Sequence, residues 1–126
     1  MQPWNIAHRG GAALVPENTL TAFEDAMARG CDGAELDVQL TSDGVVVVHH
    51  DFRLKAGLVR KDGVWLGEPG PRIKDLSLAQ LREFDVGTAQ TGGGYALTHP
   101  LLKPVNASVP TLKEVAALAS ARRFIL

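Results

Sequence analysis

The sequence predicts an α/β fold, in which short apolar strands alternate with amphipathic helices. Three stretches carry that prediction. Trp4 to His8 is a short apolar run closed by Gly10-Gly11, which predicts a buried strand with His8 at its C-terminal edge. Asn18 to Arg29 sets Leu20, Phe23 and Met27 at helical spacing. Gly33 to Leu40 alternates strictly, with Ala34, Leu36, Val38 and Leu40 on one side and Glu35, Asp37 and Gln39 on the other.

The first helix is expected to be capped by Asn18 or Thr19, with Gly30 just past its end. Thr21 with Glu24 also fits a capping box, but the earlier start keeps Leu20 in the apolar stripe. After Thr41-Ser42-Asp43-Gly44 comes the β-branched run Val45 to Val48, then His49, His50 and Asp51. The connection is too short for a helical crossover, so a hairpin turning at Asp43-Gly44 is the simplest arrangement. That register sets His50 opposite Leu36, between Glu35 and Asp37. A parallel pair would also bring His50 near both carboxylates. His49 points to the other face and is read as structural.

Phe52 to Arg72 is a loop, with a small hairpin expected where Asp62-Gly63 separates Leu58-Val59 from Val64-Trp65-Leu66. Ser77 to Val86 is expected to be a second helix, opened by the capping box of Ser77 and Gln80 and ended by Gly87. Thr88 to Val109 is long and irregular around Gly92-Gly93-Gly94, a lid or a mobile loop. Pro110 precedes a third helix capped by Thr111 and Glu114, with Leu112, Val115 and Leu118 on one face and Arg122 and Arg123 at its negative end. Phe124-Ile125-Leu126 begins a new strand.

The totals narrow the function classes. The 126 residues suit one domain at most. Thirteen basic against fourteen acidic residues argue against a general nucleic-acid surface, though not against a small anionic substrate met by one Arg and one metal ion. A single cysteine, Cys31, excludes an intrachain disulfide and a Cys-based metal site, which leaves buried packing as its expected role. No run approaches the roughly 20 apolar residues of a membrane span. Trp4 and Ile6 are followed at once by His8 and Arg9, so no signal-peptide core is present. That favours a cytoplasmic location, and a leader removed ahead of residue 1 would give an extracytoplasmic one.

The chemistry concentrates between residues 8 and 51. Glu35 and Asp37, two apart on a strand, share a face, where a hard oxygen-binding ion such as Mg²⁺ or Ca²⁺ would relieve their repulsion. Arg9 offers a bidentate fork to a phosphate, and Gly10 lets backbone approach a ligand. His8 and His50 can serve as general acid and base near neutral pH. Each piece alone also fits a half-exposed strand. Together they are the parts of metal-assisted phosphoester hydrolysis.

The ordered strings His8-Arg9-Gly10, Pro16-Glu17-Asn18-Thr19, Glu35-Leu36-Asp37-Val38, Thr41-Ser42-Asp43-Gly44 and His50-Asp51 resemble the glycerophosphodiester phosphodiesterases. Asp75-Leu76-Ser77-Leu78, Phe84-Asp85-Val86-Gly87 and Val109 to Val115 extend the likeness over most of the chain. The resemblance implies a TIM (β/α)8 barrel of the phosphatidylinositol-phospholipase-C-like type. It also implies divalent-cation-dependent hydrolysis of glycerophosphodiesters to glycerol 3-phosphate and an alcohol. By the same resemblance His8 and His50 are the acid/base pair, Arg9 contacts the phosphate, and Glu35 and Asp37 ligate the metal. Glu17 either supports the helix start or contacts the site.

A TIM barrel takes about 250 residues, and this chain has half that. The family places a third metal-ligating Glu on the strand that begins where the sequence ends. The expectation is therefore residues 1–126 as the N-terminal half of the domain, an incomplete barrel, inactive alone and completed by missing sequence or another chain. Other readings are a catalytically silent phosphate-binding or scaffolding module of the same fold, and a related phospholipase D.

Overall fold

The computed structural model describes residues 2–126. Strand β1 (Ile6–His8) pairs in parallel with β2 (Gly33–Glu35), setting Ala7 beside Ala34 and His8 beside Glu35. Helix α1 (Leu20–Ala28) makes the crossover between them. On the far side of β2, Ile125 bridges Gly33 in parallel; the Ala34 N–H donates to the Ile125 carbonyl at 2.9 Å. Helix α4 (Leu112–Arg122) leads into that third strand position and packs beside α1. This strand–helix–strand repeat is the pattern of parallel βα units. Between β2 and α4 lies a long excursion. It holds the hairpin β3 (Val38–Leu40) with β4 (Val46–Val48), the ribbon β5 (Arg60–Lys61) with β6 (Val64–Trp65), and a 3₁₀ turn at Ile73–Asp75. The short helices α2 (Leu78–Leu81) and α3 (Gly94–Thr98) complete it.

Two cores follow from the alternation of β4. Val48 packs with Phe23, Ala34 and Val115, between the parallel strands and their helices. Val47 faces the other way, into Leu54, Leu58, Val59, Ile73, Leu81, Val86 and Val109, the excursion's own core. The Asp85 carboxylate ties that second core together. It accepts from Arg60 Nε at 2.8 Å, the Gly87 N–H at 2.9 Å and the Ala107 N–H at 3.3 Å. Burial would raise the Asp85 carboxyl, but those donors outweigh it and hold the group below its ordinary range.

The local signals read correctly. Thr19 caps α1, its hydroxyl accepting from the Ala22 N–H at 3.1 Å, so the earlier start holds. Both remaining capping boxes are formed, Ser77 with Gln80 and Thr111 with Glu114. The β3–β4 pair is an antiparallel hairpin, with Val38 opposite Val48, and the Asp62-Gly63 ribbon is present.

Five expectations need correction. The run Gly33–Leu40 is two strands: β2 bonds β1, while β3 turns away to β4. The alternation therefore fails past Leu36, and Val38 and Leu40 are 48% and 56% exposed. The first strand is not buried; Trp4 and Ile6 are 70% and 40% exposed, because the face of β1 turned from the helices is uncovered. The buried stripe of α1 is Ala22, Phe23 and Ala26, with Leu20 at the surface. The second helix stops at Leu81 rather than Val86, because Asp85 bridges Arg60 and the Val86 N–H goes to the Ala107 carbonyl. Cys31 is only half-buried, and Thr88–Val109 carries α3 within it.

Candidate active site

The backbone after β1 turns sharply. Arg9, Gly10 and Gly11 have φ of 51°, 77° and 100°, and the Gly11 and Ala12 N–H groups return to the His8 carbonyl. Glycine is required at residue 10. Its φ is positive, and a Cβ there would lie 2.9 Å from the Ala22 Cβ and 3.2 Å from the Phe23 nitrogen. The turn lets α1 press against the strand end, and it presents Arg9 to both β2 and the segment before the helix.

Arg9 is where two of the predicted site residues, Glu35 and Asp37, meet. Its backbone N–H donates to Glu35 Oε2 at 3.3 Å, and its Nε lies 3.6 Å from Asp37 Oδ2. The latter is an ion pair longer than a hydrogen bond, so both buried atoms lack a hydrogen-bond partner among the described residues. Arg9 Nη1 donates to both oxygens of Glu17, at 3.2 and 3.3 Å. Glu17 thus contacts the site, while the helix start is capped by Thr19, a choice the sequence left open. His8 Nε2 lies 3.8 Å from Glu35 Oε2, the consequence of the β1–β2 register.

The second histidine arrives from β4. The His49 N–H donates to the Asp37 carbonyl at 2.9 Å, one step beyond a ladder that ends at Val38 and Val48; the expected His50–Leu36 pairing lies outside that ladder, and His50 shares an open cleft with Asp37. His50 Nδ1 lies 2.5 Å from Asp51 Oδ1, and the Gln39 amide donates to the His50 carbonyl at 3.1 Å. A carboxylate on Nδ1 favours the Nδ1–H tautomer and leaves Nε2 as the acceptor, the state a general base needs. Burial would raise the Asp51 carboxyl, but His50 and Lys55 outweigh it and hold it below the ordinary range. Asp37, His50, Asp51, Phe52 and Arg53 line an open cleft of about 520 Å³. His49 is buried, and that burial pushes its imidazole below the ordinary value, in keeping with a structural role.

Three contributors escaped the sequence reading: Asp51 as the His50 partner, Lys55, and Tyr95. Lys55 Nζ lies 3.4 Å from Asp51 Oδ2 and 3.8 Å from Glu17 Oε1, joining the two arms of the site. The Tyr95 hydroxyl donates to Glu17 Oε2 at 3.0 Å. The i,i+4 spacing of Asp51 and Lys55 was a usable signal; nothing local marks Tyr95. Glu35 and Asp37 offer two hard oxygen donors suited to a divalent cation. Among the described residues no group of three or more His, Cys, Asp and Glu side chains is placed to share an ion. Nor is any described helix long and apolar enough to cross a membrane.

A glycerophosphodiester phosphodiesterase of Caldanaerobacter subterraneus is 39% identical over 121 residues, which is 96% of this chain and 42% of that one. A crystal structure from Silicibacter pomeroyi, assigned to the glycerophosphoryl diester phosphodiesterases, superposes with a TM-score of 0.89 at 32% identity. It covers 95% of this chain and 42% of that chain. A phosphodiesterase from Oleispira antarctica in complex with the product sn-glycerol 3-phosphate is 29% identical with a TM-score of 0.71, over 98% of this chain and 42% of that one. The chain thus spans about four-tenths of the length of these relatives, and its βα repeat is part of their TIM-barrel fold. Residues 8–124 match the sequence model of the Glycerophosphoryl diester phosphodiesterase family, and the chain belongs to that family.

Proposed function

We infer that the whole protein hydrolyses glycerophosphodiesters to glycerol 3-phosphate and an alcohol, and that residues 8–51 supply its acid/base pair, phosphate arm and two metal ligands. The observation that supports this best is the meeting at Arg9. One guanidinium is held by Glu17 and flanked by Asp37, while its backbone N–H reaches Glu35 beside His8. Arg9 would bind the phosphoryl oxygens through donors that Glu17 does not take.

Glu35 and Asp37 would hold the cation, Mg²⁺ or Ca²⁺. The donors fit: both are carboxylates, and Asp37 Oδ2 is a buried oxygen without a hydrogen-bond partner, a site that a cation satisfies. When bound, the ion neutralises phosphate charge and acidifies the attacking oxygen. One imidazole takes the proton of that oxygen as it bonds to phosphorus, the bond from phosphorus to the leaving alcohol oxygen breaks, and the other imidazole protonates the departing alkoxide. The His50–Asp51 contact orients one member of the pair, and Glu35 lies 3.8 Å from the other.

The test is release of glycerol 3-phosphate from glycerophosphocholine by the full-length protein, with and without a chelator. His8→Ala and His50→Ala should each lower kcat by roughly 10²- to 10⁴-fold. Unchanged turnover in both variants would refute the acid/base assignment. No turnover with any divalent metal or headgroup would favour the silent phosphate-binding module.

A further inference from the structure

We propose that Tyr95 is a positioning residue for Arg9, acting through the Glu17 carboxylate; the proposal rests on the reading of Arg9 as the phosphate arm. Glu17 lies at the bottom of the site with its side chain only 8% exposed. A carboxylate so placed needs several donors to satisfy its oxygens and fix it. Arg9 Nη1 supplies hydrogen bonds to both oxygens, Tyr95 supplies a third to Oε2, and Lys55 stands near Oε1. Tyr95 is the only one of these three partners from beyond residue 55, and 78 residues separate it from Glu17. Without its hydroxyl, Oε2 keeps only the 3.3 Å bond from Arg9, and the carboxylate is free to rotate with the guanidinium on it.

The phenol is suited to that task. Burial and the neighbouring Glu17 charge push its titration upward, so it remains a donor across the physiological range. Its ring is fixed independently of the hydroxyl. It stacks on His99 with centroids 4.2 Å apart and planes 9° from parallel, and Lys55 Nζ lies 5.3 Å from its centroid. Tyr95 sits on α3, just after the three glycines of the 88–109 segment, so that segment is tied to the phosphate arm at this hydroxyl.

Because stacking and the Lys55 contact need only the ring, Tyr95→Phe isolates the hydroxyl. In the full-length protein, calorimetric titration with sn-glycerol 3-phosphate should show about a 5- to 10-fold weaker Kd for Tyr95→Phe, the size expected for a hydrogen bond to a charged group. The melting temperature should fall by no more than about 5 °C, because the ring keeps its packing against the core and its stacking on His99. Adding Tyr95→Phe to Glu17→Gln should change Kd less than about 2-fold beyond Glu17→Gln alone, because the two act through one carboxylate. The kinetic counterpart is a raised KM at nearly constant kcat. Unchanged Kd in Tyr95→Phe, with binding lost in Arg9→Gln, would overturn the proposal and leave Arg9 as the phosphate arm. Additive losses in the double variant would also overturn it. Unchanged binding in Arg9→Gln would remove the phosphate reading itself, and the proposal with it.

Discussion

Ala7 and Ala34 sit one residue from His8 and Glu35, and the two pairs have opposite surroundings. Ala34 is buried and Ala7 half-buried, both against the cluster of Phe23, Val48 and Val115. His8 and Glu35, paired in the same register, stand exposed on the other face beside Ile6. A strand's period of two makes this division automatic. One face carries the packing, and the other is free to carry groups that packing would neutralise or desolvate. Stability and chemistry should therefore separate by face, and substitutions can test that separation.

The largest effect is expected from crossing the two faces. Phe23→Ala removes a fully buried ring and should cost about 3–5 kcal/mol in urea unfolding. His8→Ala should change stability by no more than about 0.5 kcal/mol while it removes turnover. A His8→Ala variant that unfolds as readily as Phe23→Ala would break the comparison. Next is the hinge between the faces. Gly10→Ala must accept positive φ and push on Ala22, and should cost about 1–3 kcal/mol in the same titration.

The smallest effect is a pH dependence. Burial holds the His49 imidazole below its ordinary value, so between that value and the folded one the unfolded chain binds more protons. The stability that neutral His49 contributes is complete above pH about 6.5 and is lost as pH falls through the folded value. The urea midpoint should drop between pH 7.5 and pH 5, and His49→Leu should flatten that drop. An unaltered slope in His49→Leu would place the titration elsewhere.

What the sequence made legible was local. The Thr111–Glu114 and Ser77–Gln80 capping boxes involve groups three residues apart, and both formed. The Asp43-Gly44 hairpin followed from a short connection between two apolar runs. The break after Glu35 was not legible, because it depends on β2 and β3 choosing different partner strands. The early end of α2 depends on Arg60 and Ala107, each more than 20 residues from the backbone groups of Asp85 and Val86 that they bind. In the site, His8, Arg9, Glu35, Asp37 and His50 stood out by type and order. The support beneath them did not, since Glu17 meets Tyr95 only after the chain has folded. Residue chemistry is written in the sequence, whereas contacts such as Tyr95 to Glu17 that complete its support are long-range.

The central claim is that a phosphodiester is held at Arg9 with a cation at Glu35 and Asp37. The most direct measurement is a crystal structure of the full-length protein with sn-glycerol 3-phosphate and Mg²⁺ or Ca²⁺. The account predicts phosphate oxygens within hydrogen-bond distance of the Arg9 guanidinium and the cation bonded to carboxylate oxygens of both Glu35 and Asp37. A phosphate seated away from Arg9, or a cation bound without either carboxylate, would contradict it.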